Sequence, residues 1–200
     1  MSFKFEHKTI FKHYSLVRLI SKGGFGTVYE AINLQNSRLC AVKATDIVGY
    51  KGNNFDLFLN EGRILKNITD HRHIIKMYSE KVYGTMRLLE LELLEMSLND
   101  LIQIKAKAGG SFTEDEAKTI IKHLLMGLQY LHSNDLIHRD LKPENVGFVN
   151  SNDLSSLKIF DFGLSAQLTF EDNRMMHSMV GTILYMAPEM FSMNEYNAVD

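Results

Sequence analysis

The chain has 200 residues, which is enough for one sizeable domain or for two small lobes that share a cleft. Hydrophobic residues make up 45% of it and its formal net charge is −2, so the composition is that of a globular protein and argues against a surface that coats nucleic acid. Cys40 is the only cysteine, which excludes an internal disulfide and fits a reducing compartment.

The first residues lack the apolar core of a signal peptide, and no apolar run approaches the length that spans a bilayer. We therefore expect a protein of the cytoplasm or the nucleus that has no membrane span. Because its charges are mixed in sign, we also expect no nucleic acid among its partners.

The first 94 residues predict a small sheet with one long helix. Alternating apolar residues between glycine-rich or polar clusters indicate strands, and an apolar face repeated every three to four residues indicates the helix. Residues 1–13 precede the sheet as a polar and aromatic lead-in. The predicted strands are Tyr14–Ile20, Thr27–Asn33, Leu39–Ala44, about Ile75–Val82 and about Arg87–Leu93, and the predicted helix is about Phe55–Ile68.

A glycine-rich segment with Gly23, Gly24 and Gly26 joins the first two predicted strands. Glycines between two strands let backbone N–H groups approach phosphate oxygens without a clash from Cβ. A strand follows the segment where a dinucleotide fingerprint requires a helix. Taken alone, the segment predicts an ordinary hairpin turn more often than a phosphate site.

Lys43 follows Ala41 and Val42 in the third predicted strand. A lone lysine in a strand is usually a solvated edge residue, but these apolar neighbours predict that its ammonium points into a cleft. Glu61 lies on the same side of the predicted helix as Leu65, so we expect it to face the core side. The ordinary alternative for Glu61 is a solvated helix glutamate.

Residues 98–132 predict two helices, with a break around Gly109 and Gly110. Thr113 and Glu116 have the spacing of a capping box at the start of the second helix, which runs to about His132. Its apolar residues keep helical spacing and predict a wide stripe that faces the core. The stripe consists of Ala117, Ile120, Ile121, Leu124, Leu125, Leu128 and Leu131.

The segment from His138 to Asn145 places a carboxylate, an ammonium and a carboxamide on one short loop. Asp140 can accept a proton from an attacking hydroxyl, Lys142 can neutralise a phosphate oxygen, and Asn145 can offer an oxygen ligand to Mg²⁺. Sixteen residues further on, Asp161 of an Asp-Phe-Gly turn supplies a second oxygen ligand. A base and two cation ligands are what phosphoryl transfer from ATP requires.

In this order and spacing, these residues resemble the eukaryotic protein kinase family, serine/threonine class. Gly163-Leu164-Ser165 and the closing run Gly181–Glu189 are most similar to its calcium/calmodulin-dependent branch. The resemblance implies an α+β, bilobal protein kinase domain at residues 14–200. Its N-lobe would be a five-stranded antiparallel sheet at about 14–94, and its C-lobe, at about 95–200, would be mainly helical and incomplete.

The resemblance also implies a role for each matched position. Asp140 would orient the substrate hydroxyl and accept its proton, and Lys142 would contact the γ-phosphate. Asn145 and Asp161 would bind Mg²⁺. Lys43 would hold the α- and β-phosphates of ATP. Glu61 would be the partner of Lys43. The residues around the phosphates would be Ser21, Gly23, Gly24, Phe25 and Gly26, and those around the adenine would be Val28, Ala41 and Gly147. Leu91 would lie beside the back pocket, and Glu92 and Leu94 would lie in the hinge.

Two positions depart from the family pattern. Ser21 stands where the family has its first loop glycine. Gly147 stands where the family usually has a large apolar residue that forms the floor of the adenine site. Either a neighbour such as Phe148 fills this space, or the nucleotide binds more loosely.

The resemblance further implies regulation by phosphorylation. Arg139 stands next to the catalytic aspartate, where an arginine commonly holds a phosphate on the activation segment. Ser178 is the predicted phosphosite for an upstream activating kinase, and an ordinary polar loop serine is the alternative.

The sequence thus predicts an ATP- and Mg²⁺-dependent kinase that phosphorylates serine or threonine in protein substrates. Ser21 and Gly147 keep open a pseudokinase or nucleotide-binding scaffold. The residues Tyr196–Asp200 resemble the start of the family's central helix, which keeps open an inactive fragment of a longer kinase. The order of the motifs disfavours a nucleotide binder unrelated to kinases.

Overall fold

The chain forms two compact units in a computed structural model. The first comprises Met1–Phe58 and Lys76–Leu93, and the second Leu59–Ile75 and Leu94–Asp200. The structure describes residues 13–24, 26–47, 53–68, 70–168, 175–176, 180–188, 190 and 196–197, and for residues 53–58, 175–176 and 196–197 it describes the backbone only.

The first unit contains the five-stranded antiparallel sheet that the sequence predicts. Along the sheet the strand order is β1-β2-β3-β5-β4, so only the last two strands are out of chain order. The strands are β1 (Tyr14–Gly23), β2 (Gly26–Asn33), β3 (Arg38–Asp46), β4 (Met77–Tyr83) and β5 (Met86–Leu91). The last strand ends at Leu91, two residues before the predicted Leu93.

Strand β3 has two faces with different environments. Cys40, Val42 and Ala44 alternate along the strand and pack with Tyr14 and Leu88 in a buried apolar cluster. Successive side chains of a strand point to opposite faces, so Ala41 and Lys43 lie on the other face.

Three α-helices occur in the described part of the chain, which confirms the predicted α+β class. They are α1 (Asn53–Asn67), α2 (Leu98–Lys107) and α3 (Glu114–Ser133). The capping box of α3 is confirmed, because Thr113 Oγ1 accepts from the Glu116 N–H at 3.2 Å and Glu116 Oε2 accepts from the Thr113 N–H at 2.8 Å. Among the described residues, no helix combines the length and hydrophobicity that crossing a membrane requires.

Short strands surround the loops of the second unit. Strands β6, β8 and β9 form a three-stranded sheet, and β7 pairs with β10. The strands are β6 (Met96–Ser97), β7 (Leu136–Ile137), β8 (Val146–Phe148), β9 (Leu157–Ile159), β10 (Ala166–Gln167), β11 (Met175–Met176) and β12 (Tyr196–Asn197). The three-stranded sheet packs against α3 through a cluster that includes Ile120, Val146, Phe148 and Leu157.

The predicted apolar stripe of α3 is only partly core. Ile120 and Leu131 are buried, whereas Ile121 and Leu125 are 52% and 57% exposed. The expectation that the stripe faces the core is therefore wrong for Ile121 and Leu125. These two residues are exposed because the three-stranded sheet of β6, β8 and β9 covers only the side of α3 that carries Ile120.

Candidate active site

The loop between β7 and β8 carries the candidate catalytic residues. Arg139 adopts a left-handed backbone with φ 64°, which turns the chain sharply before Asp140. Pro143–Asn145 then forms one 3₁₀ turn, closed by the Asn145 N–H on the Lys142 carbonyl at 2.9 Å. Proline suits this position because its fixed φ matches the first turn of a helix and it needs no hydrogen-bond acceptor.

Asp140 is the centre of a compact polar network. Its Oδ2 lies 2.8 Å from Lys142 Nζ and accepts from Asn145 Nδ2 at 3.0 Å. Its Oδ1 accepts from Thr182 Oγ1 at 2.7 Å, and Lys142 Nζ donates to the same hydroxyl at 2.7 Å. Asp140, Lys142 and Thr182 therefore form a closed triangle, with Asn145 attached to one corner.

This network keeps Asp140 ionised. Burial alone would raise the pKa of the Asp140 carboxyl, but hydrogen bonds from Lys142 and Thr182, the charge of Lys142, and the bond from Asn145 together lower it. Asp140 is thus an acceptor whose two oxygens are already oriented, as a group that receives a proton during a reaction must be.

Gly181 lets Thr182 reach this network. A Cβ at this position would lie 2.5 Å from the Arg139 carbonyl oxygen, and the backbone has φ +121°. Only glycine tolerates both the close approach and this conformation. The close approach of Gly181 to the Arg139 carbonyl therefore places Thr182 against the loop that carries Asp140.

His138 holds the catalytic loop to the strand that leads into Asp161. Its Nδ1 accepts from the Asp140 N–H at 3.3 Å, so its Nε2 carries the proton and donates to the Phe160 carbonyl at 3.0 Å. Its ring meets the ring of Phe162 edge-on, with centroids 5.1 Å apart. Burial lowers the pKa of His138, which keeps the imidazole neutral in this arrangement.

The two candidate cation ligands are connected through the backbone. The Phe160 N–H donates to the Asn145 carbonyl at 3.0 Å, and Asp161 follows directly with φ 65° and ψ 72°. Asn145 Nδ2 is committed to the Asp140 carbonyl and carboxylate, so its Oδ1 is the atom that remains for a cation. A carboxylate and a neutral amide oxygen are hard donors of the kind that Mg²⁺ takes.

Asn60 is a site residue that the sequence reasoning missed. It lies on α1 beside Glu61, which is 5% exposed. Asn60 Nδ2 donates to the carbonyls of Ser165 at 2.7 Å, Gly163 at 3.2 Å and Phe162 at 3.4 Å. One carboxamide therefore ties helix α1 to the turn that carries Asp161, and only its place next to Glu61 could have drawn attention to it.

Arg139 binds the same turn from the catalytic loop. Its Nε donates to the Leu164 carbonyl at 2.6 Å and its Nη2 to the Ser165 carbonyl at 3.4 Å. The predicted phosphosite Ser178 lies outside the described residues. A pairing between Arg139 and a phosphate on Ser178 stays a prediction.

In the first unit, the predicted nucleotide-binding side chains share one face of the sheet. Ser21 is the cross-strand partner of Val28, Val28 that of Lys43, and Ala41 that of Leu91. Cross-strand partners point to the same side, as do residues two apart along a strand. The five side chains therefore lie together, on the face opposite the buried cluster around Val42.

The glycine-rich hairpin is open at its tip. Among the described residues, apart from its chain neighbours, a Cβ added to Gly23 or Gly24 would have no atom within 4 Å, whereas one on Gly26 would lie 2.5 Å from the Ala44 carbonyl oxygen. Gly26 also has φ +125°, so this position requires glycine for the hairpin itself. Phe25 lies outside the described residues.

The predicted hinge follows the end of β5. Leu91 is buried, and the Glu92 N–H donates to the Lys76 carbonyl at 2.8 Å. Leu94 belongs to the second unit and is half-buried. Lys43 and Glu61 belong to different units, and their ion pair stays a prediction.

The space beside Gly147 is filled, but by neighbours other than Phe148. A Cβ on Gly147 would lie 3.0 Å from Leu94 Cδ1, 3.0 Å from the Met96 carbonyl oxygen and 3.2 Å from Phe160 Cε1. Phe148 is fully buried in the cluster under α3, because neighbouring residues of a strand face opposite ways. The suggestion that Phe148 fills this space is therefore wrong.

Residues 14–200 match the family model of the protein kinase domain. The match extends over more than half of the chain and includes both the sheet of the first unit and the catalytic loop of the second. The chain therefore belongs to the protein kinase domain family.

Several curated relatives carry the names of protein kinases. Calcium-dependent protein kinase 5 of Plasmodium berghei (strain Anka) is 38% identical over 170 residues, which are 85% of this chain and 29% of that protein. "Probable serine/threonine-protein kinase fhkB" of Dictyostelium discoideum is 34% identical over 188 residues, 93% of this chain and 16% of that protein. Serine/threonine-protein kinase 33 of Mus musculus is 32% identical over 191 residues, 92% of this chain and 38% of that protein. The chain thus spans well under half the length of these relatives.

Proposed function

We propose that the chain is the catalytic part of an ATP-dependent protein serine/threonine kinase. It would transfer the γ-phosphoryl group of Mg-ATP to a serine or threonine hydroxyl of a protein substrate. The triangle of Asp140, Lys142 and Thr182, with Asn145 bound to Asp140, carries this proposal.

Asp140 supplies the base. The substrate O–H bond breaks as the new O–P bond forms, the bond between the γ-phosphorus and the oxygen of ADP breaks, and the proton passes to Asp140. The lowered pKa of Asp140 keeps it ionised before the reaction. Its bond to Asn145 holds the carboxylate in one orientation, which reduces the entropy lost on reaching the transition state.

Lys142 supplies a positive charge beside the base. Its ammonium lies 2.8 Å from Asp140 Oδ2, and its side chain is 20% exposed, so a phosphate oxygen could approach it. Charge that develops on the transferred phosphoryl group is stabilised by such a cation without reorganisation of the site.

Asn145 and Asp161 would hold Mg²⁺, which when bound neutralises charge on the ATP phosphates. The backbone bond between Phe160 and Asn145 keeps these two residues in a constant relation. His138 adds a second backbone tie through the Phe160 carbonyl. Binding the cation would then require little change of the loop.

The names of the relatives and the Lys142–Thr182 contact support serine and threonine as acceptors. Regulation belongs to the same proposal. A phosphate placed on Ser178 by an upstream kinase would offer Arg139 a stronger acceptor than the carbonyls it now binds.

The decisive experiment is a phosphotransfer assay of the full chain with Mg-ATP and peptide pools that contain serine, threonine or tyrosine as the sole hydroxyl. Labelling of the serine and threonine pools, lost in Asp140→Asn, supports the proposal. ATP binding without transfer would indicate a pseudokinase or nucleotide-binding scaffold instead. If the chain shows neither ATP binding nor a cooperative melt, the activity requires a longer chain.

A further inference from the structure

Two histidines of the second unit lie side by side away from the residues of the candidate active site. His73 belongs to the loop between α1 and β4, and His123 belongs to α3. Their ring centroids are 4.8 Å apart, and the ring planes are inclined by 35°. His73 is fully buried and His123 is half-buried. Because the two residues are far apart in sequence, their spacing gives no sign of this pair.

The loop that carries His73 is fixed against both β9 and α3. The His73 carbonyl accepts from the Ile159 N–H at 2.8 Å. On α3, a Cβ added to Gly127 would lie 3.2 Å from the His73 carbonyl oxygen and 3.3 Å from His73 Cβ. Gly127 therefore leaves room for His73 on the helix surface, one turn after His123. The positions of both imidazoles are set by this packing.

The hydrogen bond of His73 defines which of its nitrogens is available. Its Nδ1 lies 3.0 Å from the Leu157 carbonyl oxygen, which can only accept, so Nδ1 carries the proton and Nε2 has a lone pair. Nε2 is buried and has no hydrogen-bond partner in the described part of the chain. Burial also lowers the pKa of His73, which keeps the ring neutral. A neutral imidazole whose second nitrogen donates to a backbone carbonyl is the form in which histidine binds metals.

His123 presents a second nitrogen of the same kind. Its Nδ1 is buried and likewise bonds to none of the residues that the structure describes. Since the ring as a whole is half-buried, the edge with Nδ1 is the edge turned towards the protein, where the His73 ring packs. Buried polar atoms are nearly always paired, so two unpaired nitrogens on adjacent rings indicate a shared ligand.

His71 does not belong to this pair. Its Nδ1 accepts from the His73 N–H at 3.3 Å, and its ring stacks on Tyr130 with centroids 4.4 Å apart. Among the described residues, no three histidine, cysteine, aspartate or glutamate side chains are grouped so that they could hold a metal. A cation between His73 and His123 would therefore have two protein ligands, with water in its other positions.

We propose that His73 Nε2 and His123 Nδ1 bind one divalent d-block cation of the Zn²⁺, Cu²⁺ and Ni²⁺ class. Imidazole nitrogen suits these ions, whereas Mg²⁺ takes oxygen ligands such as those of Asn145 and Asp161. The bound cation would join the loop after α1 to α3. With only two protein ligands, binding is reversible and weaker than at a structural zinc site.

Calorimetric titration of the full chain with Zn²⁺, in excess Mg²⁺ and without nucleotide, tests this proposal. His73→Asn keeps an amide donor for the Leu157 carbonyl but has no atom in place of Nε2, and His123→Gln removes Nδ1. Each variant should weaken Zn²⁺ binding by at least about tenfold. His132→Gln is the matched control, because His132 is exposed on the same helix, and it should bind Zn²⁺ like wild type. Asp161→Asn should also leave this binding unchanged.

Electron paramagnetic resonance with less than one equivalent of Cu²⁺ gives a signature that a merely structural role for these rings would not produce. The wild-type chain should show hyperfine coupling to two imidazole nitrogens, and each of the two variants should lose it. If His73→Asn does not melt cooperatively, the half-buried His123→Gln carries the test alone. No Zn²⁺ binding by the wild-type chain, or equal binding by His123→Gln and His132→Gln, would overturn the proposal. Because no nucleotide is present, neither result depends on the proposed kinase activity.

Discussion

The catalytic loop and the glycine-rich hairpin are built in opposite ways. In the catalytic loop, Asp140 accepts hydrogen bonds from three side chains, and His138 bonds to the backbone on both sides of its ring. At the hairpin tip, Gly23 and Gly24 have no atoms within 4 Å of where a side chain would begin. One region is held by a network of side-chain hydrogen bonds, and the other leaves open space around its two tip glycines.

This difference follows from what each region would do. A base and a cation site must hold their geometry to within a fraction of an ångström before the substrate arrives. A loop that offers backbone N–H groups to phosphates needs space for the ligand, so side chains there would be an obstacle. The comparison therefore predicts large losses for changes in the loop and small ones at the hairpin tip.

The largest expected effect is that of Asp140→Asn. The variant keeps the shape of the side chain but cannot accept the proton, so phosphotransfer should fall by about 10³-fold. Mg-ATP binding should stay within about threefold of wild type, because the cation ligands are untouched. Asp115→Asn, on the exposed first turn of α3, is the control and should retain full activity. Equal activity in both variants would remove Asp140 from the mechanism.

Thr182→Val tests the triangle without removing the base. Valine keeps the shape but loses the hydroxyl that joins Asp140 to Lys142, and a hydrogen bond to a charged group is worth about 1.5–3 kcal/mol. We expect kcat to fall by about tenfold or more. The pH below which activity declines should rise, since one bond that lowers the pKa of Asp140 is gone. Thr182→Ser should restore both properties, and a Ser variant as impaired as the Val variant would contradict this reading.

Asn60→Ala removes the carboxamide between α1 and the Asp161 turn. Three carbonyls lose a shared donor, so the free energy of unfolding should fall by about 1–3 kcal/mol. Asn152→Ala, in an exposed turn, is the matched control and should melt like wild type. Identical melting temperatures for the two variants would show that the Asn60 bonds add nothing to stability.

Local features of this chain were predictable from sequence. The capping box at Thr113 depends on four consecutive residues, and strand β3 around Lys43 depends on a pattern within its nine residues. The clustering of Asp140 and Asn145 follows from their short separation in one loop. The structure confirms the predicted strands and helices, with boundaries that shift by a few residues.

Contacts between distant parts of the chain were not predictable. Asn60 meets the carbonyl of Ser165 across 105 positions, and nothing in a helix pattern indicates the acceptor of an exposed-looking amide. The contact between Gly147 and Phe160 depends on the register of β8 beside β9. The exposure of Leu125 depends on which side of α3 the small sheet covers.

Acid should destabilise the second unit through His138. Burial lowers the pKa of His138 below its ordinary 6.5, with the charges of Asp161 and Asp140 opposing this effect. Between the folded-state pKa and 6.5, the unfolded chain binds more protons than the folded one, so stability falls as the pH falls through this range. Once protonated, His138 Nδ1 could no longer accept the hydrogen bond from the Asp140 N–H.

The melting temperature at pH 7.5 and at pH 5.5 measures this effect. His138→Gln keeps a donor for the Phe160 carbonyl but does not titrate, so it should lose less stability on acidification than wild type. His132→Gln is the control, since His132 is exposed on the last turn of α3. Burial also lowers the pKa of His73, so part of the change in melting temperature with pH should remain in both variants. A slope unchanged by His138→Gln would assign the acid sensitivity to other groups.

The smallest expected effect is that of Gly24→Ala at the hairpin tip. In the part of the chain that the structure describes, its new methyl has no atom within 4 Å beyond its chain neighbours, so the free energy of unfolding should stay within about 0.5 kcal/mol of wild type. Gly26→Ala should cost about 1–3 kcal/mol, because that residue has φ +125° and its Cβ would lie 2.5 Å from the Ala44 carbonyl oxygen. If Gly24 serves phosphate approach, its alanine variant should raise the KM for ATP by about threefold at unchanged stability. If neither the free energy of unfolding nor the KM for ATP changes, Gly24 is an ordinary turn residue that has no role in phosphate binding.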